Sequence, residues 1–374
     1  MRIVHVSVGG VPVLHPFGGA VQRRIIELAQ RQVLGGHEVT VYSPGDRTRQ
    51  EDHQGILIRY VKCRSGARLS WIELQLRAAL DLARENVDLI HFHGQAEGAF
   101  LTGRIKAAKV LSYDYFYFRR GLRGPLHALY RRLLHTYDAL LPVSEYCRDE
   151  SDRFWDLHNA RLRIVHNGVN TGQFGPDPAA GRRERERGGF TGRVVLYVGR
   201  VNEQKGTHVL IEAMRLLREQ EVDVQLVVAG PIGQFGTGQA DPEHWRERIE
   251  AVGGAYLGAV PEDRLSAVYN LADVFVMPTV QFEMFGMAAV EAQACGKPTI
   301  ASDHGGLRET VPRDCGGRFP VGDSAELANQ IAALLAADEA TYDGVAARAR
   351  ANADTYSWPA VNDRLERVYR EVVR

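Results

Sequence analysis

A chain of 374 residues is too long for one small core, so two domains are the natural expectation. Basic and acidic side chains balance at 46 each, and a formal net charge of zero speaks against a nucleic-acid surface or a strongly acidic partner. Hydrophobic content of 45% is that of a globular protein, no stretch reaches the length of a membrane span, and Cys63, Cys147, Cys295 and Cys315 lack metal-ligand spacing and read as reduced thiols of a cytoplasmic protein.

The chain opens on Met1-Arg2-Ile3-Val4-His5-Val6, which reads as a strand and not as a cleavable leader. Candidate strands in the first half are Ile3–Val8, Glu38–Tyr42, Ile56–Val61, Leu89–Phe92, Val110–Ser112, Ala139–Val143 and Ile164–Val165. Between the first two lies an amphipathic helix, Val21–Leu34, with Val21, Ile25, Leu28, Ala29 and Val33 at helical spacing and Gly35-Gly36 as its stop. Arg119, Arg120, Arg123, Arg131 and Arg132 bracket an aromatic segment and read as a solvated face. The pattern breaks at Gly175–Phe190, where Arg182–Arg187 shows no apolar periodicity and a linker is expected. Alternation then resumes with strand Val194–Val198, helix His208–Leu217 and strands Val224–Ala229, Val274–Met277 and Thr299–Ala301, with helix Met287–Ala294 before the last. An amphipathic Trp358–Val373 closes the chain. Two Rossmann-like halves of parallel sheet and helix are therefore expected.

Neither half has a clean Gly-x-Gly-x-x-Gly after its first strand, which disfavours a dinucleotide oxidoreductase. Gly18-Gly19-Ala20 instead ends a loop just before a helix, where backbone can approach a ligand closely. In Asp88-Leu89-Ile90-His91-Phe92-His93-Gly94, the two histidines are read as facing opposite sides of a strand. His93 stands at the carboxyl end, where such sheets contact ligands, and His91 reads as packing. Nothing nearby in sequence completes a metal-ligand set with them. Lysine is confined to Lys62, Lys106, Lys109, Lys205 and Lys297, the other basic residues being arginine, as GC-rich coding produces. Arg200 and Lys205 share the loop after Val194–Val198 and suit a diphosphate.

The most informative stretch is Phe282-Glu283-Met284-Phe285-Gly286-Met287-Ala288-Ala289-Val290-Glu291. A helix starting near Gly286 puts Glu291 in its second turn and leaves Glu283 on the loop before it. The amides of Met284–Met287 lack intrahelical acceptors and lie at the positive end of the helix dipole. Amides suit a phosphate and carboxylates suit hydroxyls, so the stretch suits a nucleotide sugar.

Taken together these motifs resemble the retaining glycosyltransferases of family 4, of glycogen-synthase-like type and also termed glycosyl transferases group 1. In the first half the resemblance rests on Phe17-Gly18-Gly19, Asp88–His93, Val143-Ser144-Glu145 and Val165-His166-Asn167-Gly168-Val169-Asn170. In the second half it rests on Gly199-Arg200, Lys205-Gly206, Ala229-Gly230-Pro231, Leu257-Gly258 and Glu283-x-Phe285-Gly286-x4-Glu291. Ala292–Pro298 and Gly305-Gly306-x-x-Glu309 complete the set, which covers nearly the whole chain.

The resemblance implies an α/β GT-B fold with two Rossmann-like domains facing a central cleft. On that reading 1–176, with a helix over 358–374 crossing back, holds the acceptor; 190–357 holds the nucleotide sugar; and 177–189 links them. Glu291 would bind the ribose, and Glu283 the transferred sugar with amides of Met284, Phe285 and Gly286. Arg200 and Lys205 would hold the diphosphate with Gly199 and Gly19 close by, while Gly258 and Val260 line the base. Gly18, His93, Tyr113 and Asp114 would meet the acceptor, although many relatives have a histidine where Tyr113 stands. Glu283, His93, Arg200 and Lys205 are the expected catalytic set. The implied activity is transfer of a hexose, UDP-linked and of glucose or N-acetylglucosamine type, to a small polar acceptor such as a cyclitol, aminocyclitol or sugar. No Asp-x-Asp pairing stands in the usual place, so neither a metal nor another cofactor is expected. The arginine-rich composition fits an actinobacterial specialised-metabolite or antibiotic pathway. The rivals are an epimerase of the same fold and a catalytically silent nucleotide-sugar-binding partner.

Overall fold

The computed structural model describes residues 1–15, 19–63, 66–114, 124–157, 161–233, 241–281 and 283–373. Two compact units divide them: Met1–Gly168 with the C-terminal segment from Trp358, and Val169–Ser357. In chain order the first unit contains β1 (Arg2–Val6), α1 (Ala20–Leu34), β2 (Glu38–Gly45), β3 (Arg49–His53), β4 (Ile56–Lys62), α2 (Gly66–Leu82) and β5 (Leu89–His93). Next come α3 (Gly98–Leu101), β6 (Ala108–Tyr113), α4 (Gly124–Leu134), β7 (Ala139–Pro142) and α5 (Glu145–Trp155). The second unit begins with α6 (Pro178–Gly188), β8 (Arg193–Val198), α7 (Thr207–Glu219), β9 (Val224–Ala229), α8 (Pro242–Ala251), β10 (Ala255–Gly258) and α9 (Glu262–Asn270). It continues with β11 (Val274–Met277), α10 (Met287–Ala294), β12 (Thr299–Ser302), α11 (Leu307–Thr310), β13 (Gly316–Phe319), α12 (Ser324–Leu335) and α13 (Glu339–Thr355). The chain then returns to the first unit as α14 (Trp358–Val372).

The first sheet runs β3-β4-β2-β1-β5-β6-β7 and the second β10-β9-β8-β11-β12-β13. All pairings are parallel except β3 with β4. Central strands such as β5 and β11 are buried along their whole length, as sheets with covered faces require; β11 is accordingly apolar throughout, whereas β5 buries His91 and His93 among its apolar residues. Helix α14 covers the first sheet by burying Trp358, Val361, Leu365, Val368 and Tyr369 against Ile3, Leu89, Val110, Leu141 and Val165. Each such apolar side chain contributes roughly 1.5–3 kcal/mol on burial.

Four points of the sequence reading need correction or addition. Ile164–Val165 is not a strand; the chain there passes β7 with one isolated bridge, Leu140 to Leu162. Strand β3, Arg-Gln-Glu-Asp-His, forms at the sheet edge from a sequence with no apolar alternation. Helix α1 buries Gln22, Arg24 and Gln32 beside its apolar stripe, while Val21 and Val33 are only half-buried.

The fourth concerns the linker. The units divide at Gly168–Val169, and most of 177–189 is helix α6, inside the second unit. Asp177 caps it by accepting the Ala180 N–H at 2.9 Å, with Pro178 in the first turn. Its buried face is small and polar (Ala180, Gly181 and Glu184), and Glu184 is bonded to Arg264 at 2.6 Å, so no apolar period betrays it. Asp177→Ala should remove about 1 kcal/mol and lower the melting temperature by roughly 2–4 °C. A calorimetric melt unchanged from wild type would show that the cap contributes nothing.

Candidate functional site

In each sheet the strand order reverses beside the first strand of its unit, and ligands of α/β sheets bind at the carboxyl ends of the strands flanking such a reversal. In the second unit the reversal separates β8 from β11. The loops that leave these two strands carry most of the charged residues singled out in the sequence. They are tied together, since the amides of Val280 and Gln281 both donate to the Gln204 carbonyl at 3.1 Å. Gly206 permits this contact: its φ is +72°, and a Cβ there would lie 1.8 Å from the Pro278 carbonyl oxygen.

Lys205 donates from Nζ to Glu283 Oε2 at 2.6 Å across these loops, with side chains 26% and 16% exposed. Asn202 holds the lysine's backbone, accepting its N–H at 2.9 Å while donating to the Gly233 carbonyl at 3.0 Å. Arg200 is half-buried, and its carbonyl accepts the Tyr197 phenol at 2.6 Å. That phenol is pushed up by burial, with Glu283 adding to the shift and Arg200 opposing it, so both charges lie near one ring.

Glu291 stands in the second turn of α10, only 5% exposed, with Oε2 accepting the Tyr269 hydroxyl at 2.8 Å. No side chain among the described residues caps α10 at Gly286. Met284 is half-buried, whereas the Phe285 ring is core, edge-on to Tyr356 at 5.4 Å. Its carbonyl accepts the Thr310 hydroxyl at 2.8 Å. The Gly305-Gly306 motif supports this loop from below. Added Cβ atoms would lie 2.4 Å from the Glu283 oxygen and 2.1 Å from the Met284 oxygen. Across the other side of β8, the Gly199 N–H donates to Ala229 at 2.9 Å and the Gly230 N–H to Gly258 at 2.7 Å. Gly199 and Gly258 thus both lie at carboxyl ends, with Val260 half-buried just beyond. Phe282 lies outside the described residues.

In the first unit the reversal falls between β1 and β5, and a histidine cluster occupies it. His5 and His91 are register partners, and His91 and His93 stack with centroids 4.1 Å apart. The expectation of opposite faces is therefore wrong: residues i and i+2 of a strand share a face, and Phe92 takes the other. His91 is a network member and not mere packing, with Nδ1 2.6 Å from the Tyr369 hydroxyl and Nε2 2.7 Å from the Ser112 hydroxyl. His93 Nε2 lies 3.0 Å from His5 Nδ1, and His5 Nε2 lies 2.8 Å from Gln32 Oε1. Arg24, 2% exposed, donates to Asn167 Oδ1 at 2.7 Å, and to the Ser112 hydroxyl and Val165 carbonyl at 3.1 Å. Asn167, noted as part of a motif, is thus a clamp for a buried cation.

His5 also supplies the third nitrogen that was expected to be missing, since nitrogens of His5, His91 and His93 lie within 4.8 Å of one another. Hydrogen bonds engage every one of their nitrogens except His93 Nδ1, and Arg24 close by opposes a second cation. Burial first, with Arg24 contributing, lowers His5 to about 4 and holds His91 and His93 well below the usual histidine range. Because the folded values lie below the unfolded one, the unfolded chain binds more protons in acid. Stability from the neutral trio is complete above pH 6.5 and is lost as pH falls toward 4. The slope reaches about 1.4 kcal/mol per pH unit for each titrating ring. Urea midpoints measured from pH 7.5 to 4.5 should fall in that window, and His5→Gln should flatten the fall; a parallel curve for the variant would remove His5 from it.

Of the other residues expected here, Gly19 precedes α1 and donates its N–H to Gln22 Oε1 at 3.1 Å. Asp114 is half-buried at the end of β6. Tyr113 is 1% exposed, and burial pushes its phenol well up, with Cys147 adding to the shift, so its ring is part of the core. Gly18 and the segment with Arg119, Arg120 and Arg123 lie outside the described residues. All four cysteines are free, with Cys147, Cys295 and Cys315 buried and Cys63 partly so. No described helix is long and apolar enough to cross a membrane. Sequence reading missed Asn202, Tyr269, Gln32, Arg24 and Tyr369; for Arg24 and Gln32 alone there was a signal, a polar residue on the buried stripe of a helix.

Residues 17–173 match the family described as Glycosyltransferase Family 4, and residues 182–353 match Glycosyl transferases group 1. D-inositol 3-phosphate glycosyltransferase 2 of Catenulispora acidiphila is 32% identical in an alignment of 260 positions that covers 64% of this chain and 60% of the relative, less than two thirds of its length. D-inositol 3-phosphate glycosyltransferase 1 of the same organism is 28% identical over 416 residues, covering 100% of this chain and 96% of the relative. The fold matches sucrose-phosphate synthase from Thermosynechococcus elongatus with a TM-score of 0.78 at 21% identity, over 99% of this chain and 98% of that one. It also matches Anabaena Alr3699/HepE in complex with UDP-glucose, with a TM-score of 0.75 at 19% identity over 99% and 100% of the two chains.

Proposed function

The chain belongs to the family 4 glycosyltransferases and has their GT-B fold, and from that premise we propose that it moves a hexose from a UDP-sugar to a hydroxyl of a small cyclitol-like acceptor, with retention and without a metal. The observation that carries this reading is the Lys205–Glu283 pair at 2.6 Å, on the loop before the N-terminus of α10 that also bears the oriented Glu291 carboxylate. A cation and a carboxylate meet at the carboxyl ends of β8 and β11 before a helix start with no side-chain cap among the described residues, and Glu291 stands in the second turn of that helix. The ribose hydroxyls donate to Glu291, whose second oxygen Tyr269 holds in place. The diphosphate takes Lys205 and Arg200 as counterions, and Lys205 thereby exchanges one anion for another. Glu283, released from the lysine, accepts hydroxyls of the hexose. As the glycosidic bond breaks, negative charge grows on the departing phosphate, where the two cations stabilise it. The acceptor hydroxyl enters on the face the diphosphate leaves and passes its proton to a leaving phosphate oxygen, so no protein nucleophile is required.

UDP rests on the neighbours solved with UDP and UDP-glucose, and the cyclitol class on relatives named as D-inositol 3-phosphate glycosyltransferases. The expected result of a thermal-shift panel in EDTA is a rise with UDP and UDP-hexoses that exceeds the rise with GDP, ADP, TDP or NAD. UDP release should then require a cyclitol or cyclitol phosphate, and the transferred sugar should keep its anomeric configuration in the product. Release without an acceptor together with sugar inversion at a ring carbon would favour an epimerase. Binding with no turnover on any acceptor would favour a silent partner, and a rise with NAD alone would remove the whole reading.

A further inference from the structure

The histidine network of the first unit has a direction, and that direction decides what His93 offers. Gln32 turns its carbonyl oxygen to His5 at 2.8 Å and its amide nitrogen to the Tyr369 hydroxyl at 3.5 Å. The His5 proton is therefore on Nε2, and a neutral His5 has a bare Nδ1. His93 must then donate from Nε2 across the 3.0 Å to His5. A neutral His93 that carries its proton on Nε2 has a lone pair on Nδ1. That atom is buried and has no partner among the described residues. On the other side of Gln32 the same logic holds. Tyr369, accepting from the amide, donates to His91 Nδ1 at 2.6 Å, and His91 donates from Nε2 to Ser112 at 2.7 Å. Ser112 also accepts from Arg24 at 3.1 Å, so every link is satisfied in one sense of travel.

We infer that Gln32 and Tyr369 are positioning residues that lock His93 as the Nε2–H tautomer, so that its bare Nδ1 accepts a hydrogen bond from a hydroxyl of the bound acceptor. Neutrality of all three rings is a condition of this lock, and burial beside Arg24 supplies it. The reverse direction requires the Gln32 amide to be turned over. His93 would then bear its proton on Nδ1 and face ligand as a donor. An unpartnered buried acceptor is costly by itself, and a ligand hydroxyl at His93 relieves that cost. His93 stands at the carboxyl end of β5, beside the strand-order reversal where α/β sheets receive ligands. The role in binding rests on the transferase reading above; the tautomer does not.

Long-range proton–nitrogen NMR of histidine-labelled protein tests the lock directly, with single His variants assigning the three rings. The expected spectrum has His5, His91 and His93 all protonated on Nε2 alone. Gln32→Met should let the Nδ1–H form of His93 appear, and Tyr369→Phe should do so in part. Both should raise the acceptor KM, by about tenfold for Gln32→Met, while leaving the UDP-sugar Kd unchanged. His93→Asn, which keeps an acceptor atom near the Nδ1 position, should retain more activity than His93→Leu. A wild-type His93 protonated on Nδ1, or stoichiometric zinc retained through dialysis against a chelator, would overturn the inference. So would a Tyr369→Phe variant, the milder change, whose tautomer and kinetics match wild type. If no donor and acceptor pair gives turnover while the wild-type tautomers are as stated, the transferase reading fails and the lock remains.

Discussion

Lys205→Ala is expected to lower kcat by roughly 100- to 1,000-fold, with the UDP-sugar Kd rising by no more than about tenfold. The asymmetry has a physical origin. In the free protein the lysine is already satisfied by Glu283 at 2.6 Å, so giving it to the diphosphate exchanges one anionic partner for another and adds little to ground-state binding. Charge on the leaving phosphate grows only as the bond to the sugar breaks, and there a fixed cation in a partly shielded site has its full effect. Removing the lysine also leaves Glu283 without its cation, which adds a small penalty to binding. Lys205→Arg should recover only part of the rate, because a planar fork cannot place its charge as a compact ammonium does. Stopped-flow donor binding beside steady-state turnover separates the two quantities. Equal losses in kcat and affinity would mean that Lys205 binds the donor and does not act on the chemical step.

For Glu291→Ala the opposite split is expected: the UDP-sugar Kd rises about 100-fold, and kcat at saturating donor falls far less. A hydrogen bond to a charged group contributes about 1.5–3 kcal/mol, and the ribose interactions are the same in ground and transition states. Tyr269→Phe removes the hydroxyl that now donates to Glu291 at 2.8 Å and should weaken donor binding by about threefold to tenfold. Titration calorimetry with UDP alone reads this directly, since UDP has the ribose and lacks the hexose. Unchanged UDP affinity in Glu291→Ala would move the ribose site elsewhere.

Much of the second unit was legible because its chemistry is local in the chain. Glu283, Gly286 and Glu291 share one loop-to-helix turn, and Arg200 and Lys205 share one loop, so spacing alone reports their grouping. Helix α6 was not legible because a short helix with a polar buried face has no hydrophobic period to read. Strand β3 was hidden for the related reason that its stability comes from pairing with β4 and not from its own residues. The histidine faces were misjudged although the period-two rule was available, and the third ring of the cluster went unseen because His5 is far from His91 in sequence and adjacent only through the β1–β5 register.

Strand and helix alternation, the two-sheet architecture and the identity of the charged loops follow from chain order, because each depends on neighbours a few residues apart. The Lys205–Glu283 pair, the Tyr269 hold on Glu291 and the Gly305-Gly306 support exist only after folding. So does the buried chain from Arg24 through Tyr369 to His93, whose members come from α1, β1, β5, β6 and α14. Proton positions in such a chain depend on every link at once, and no single segment of the sequence contains them all.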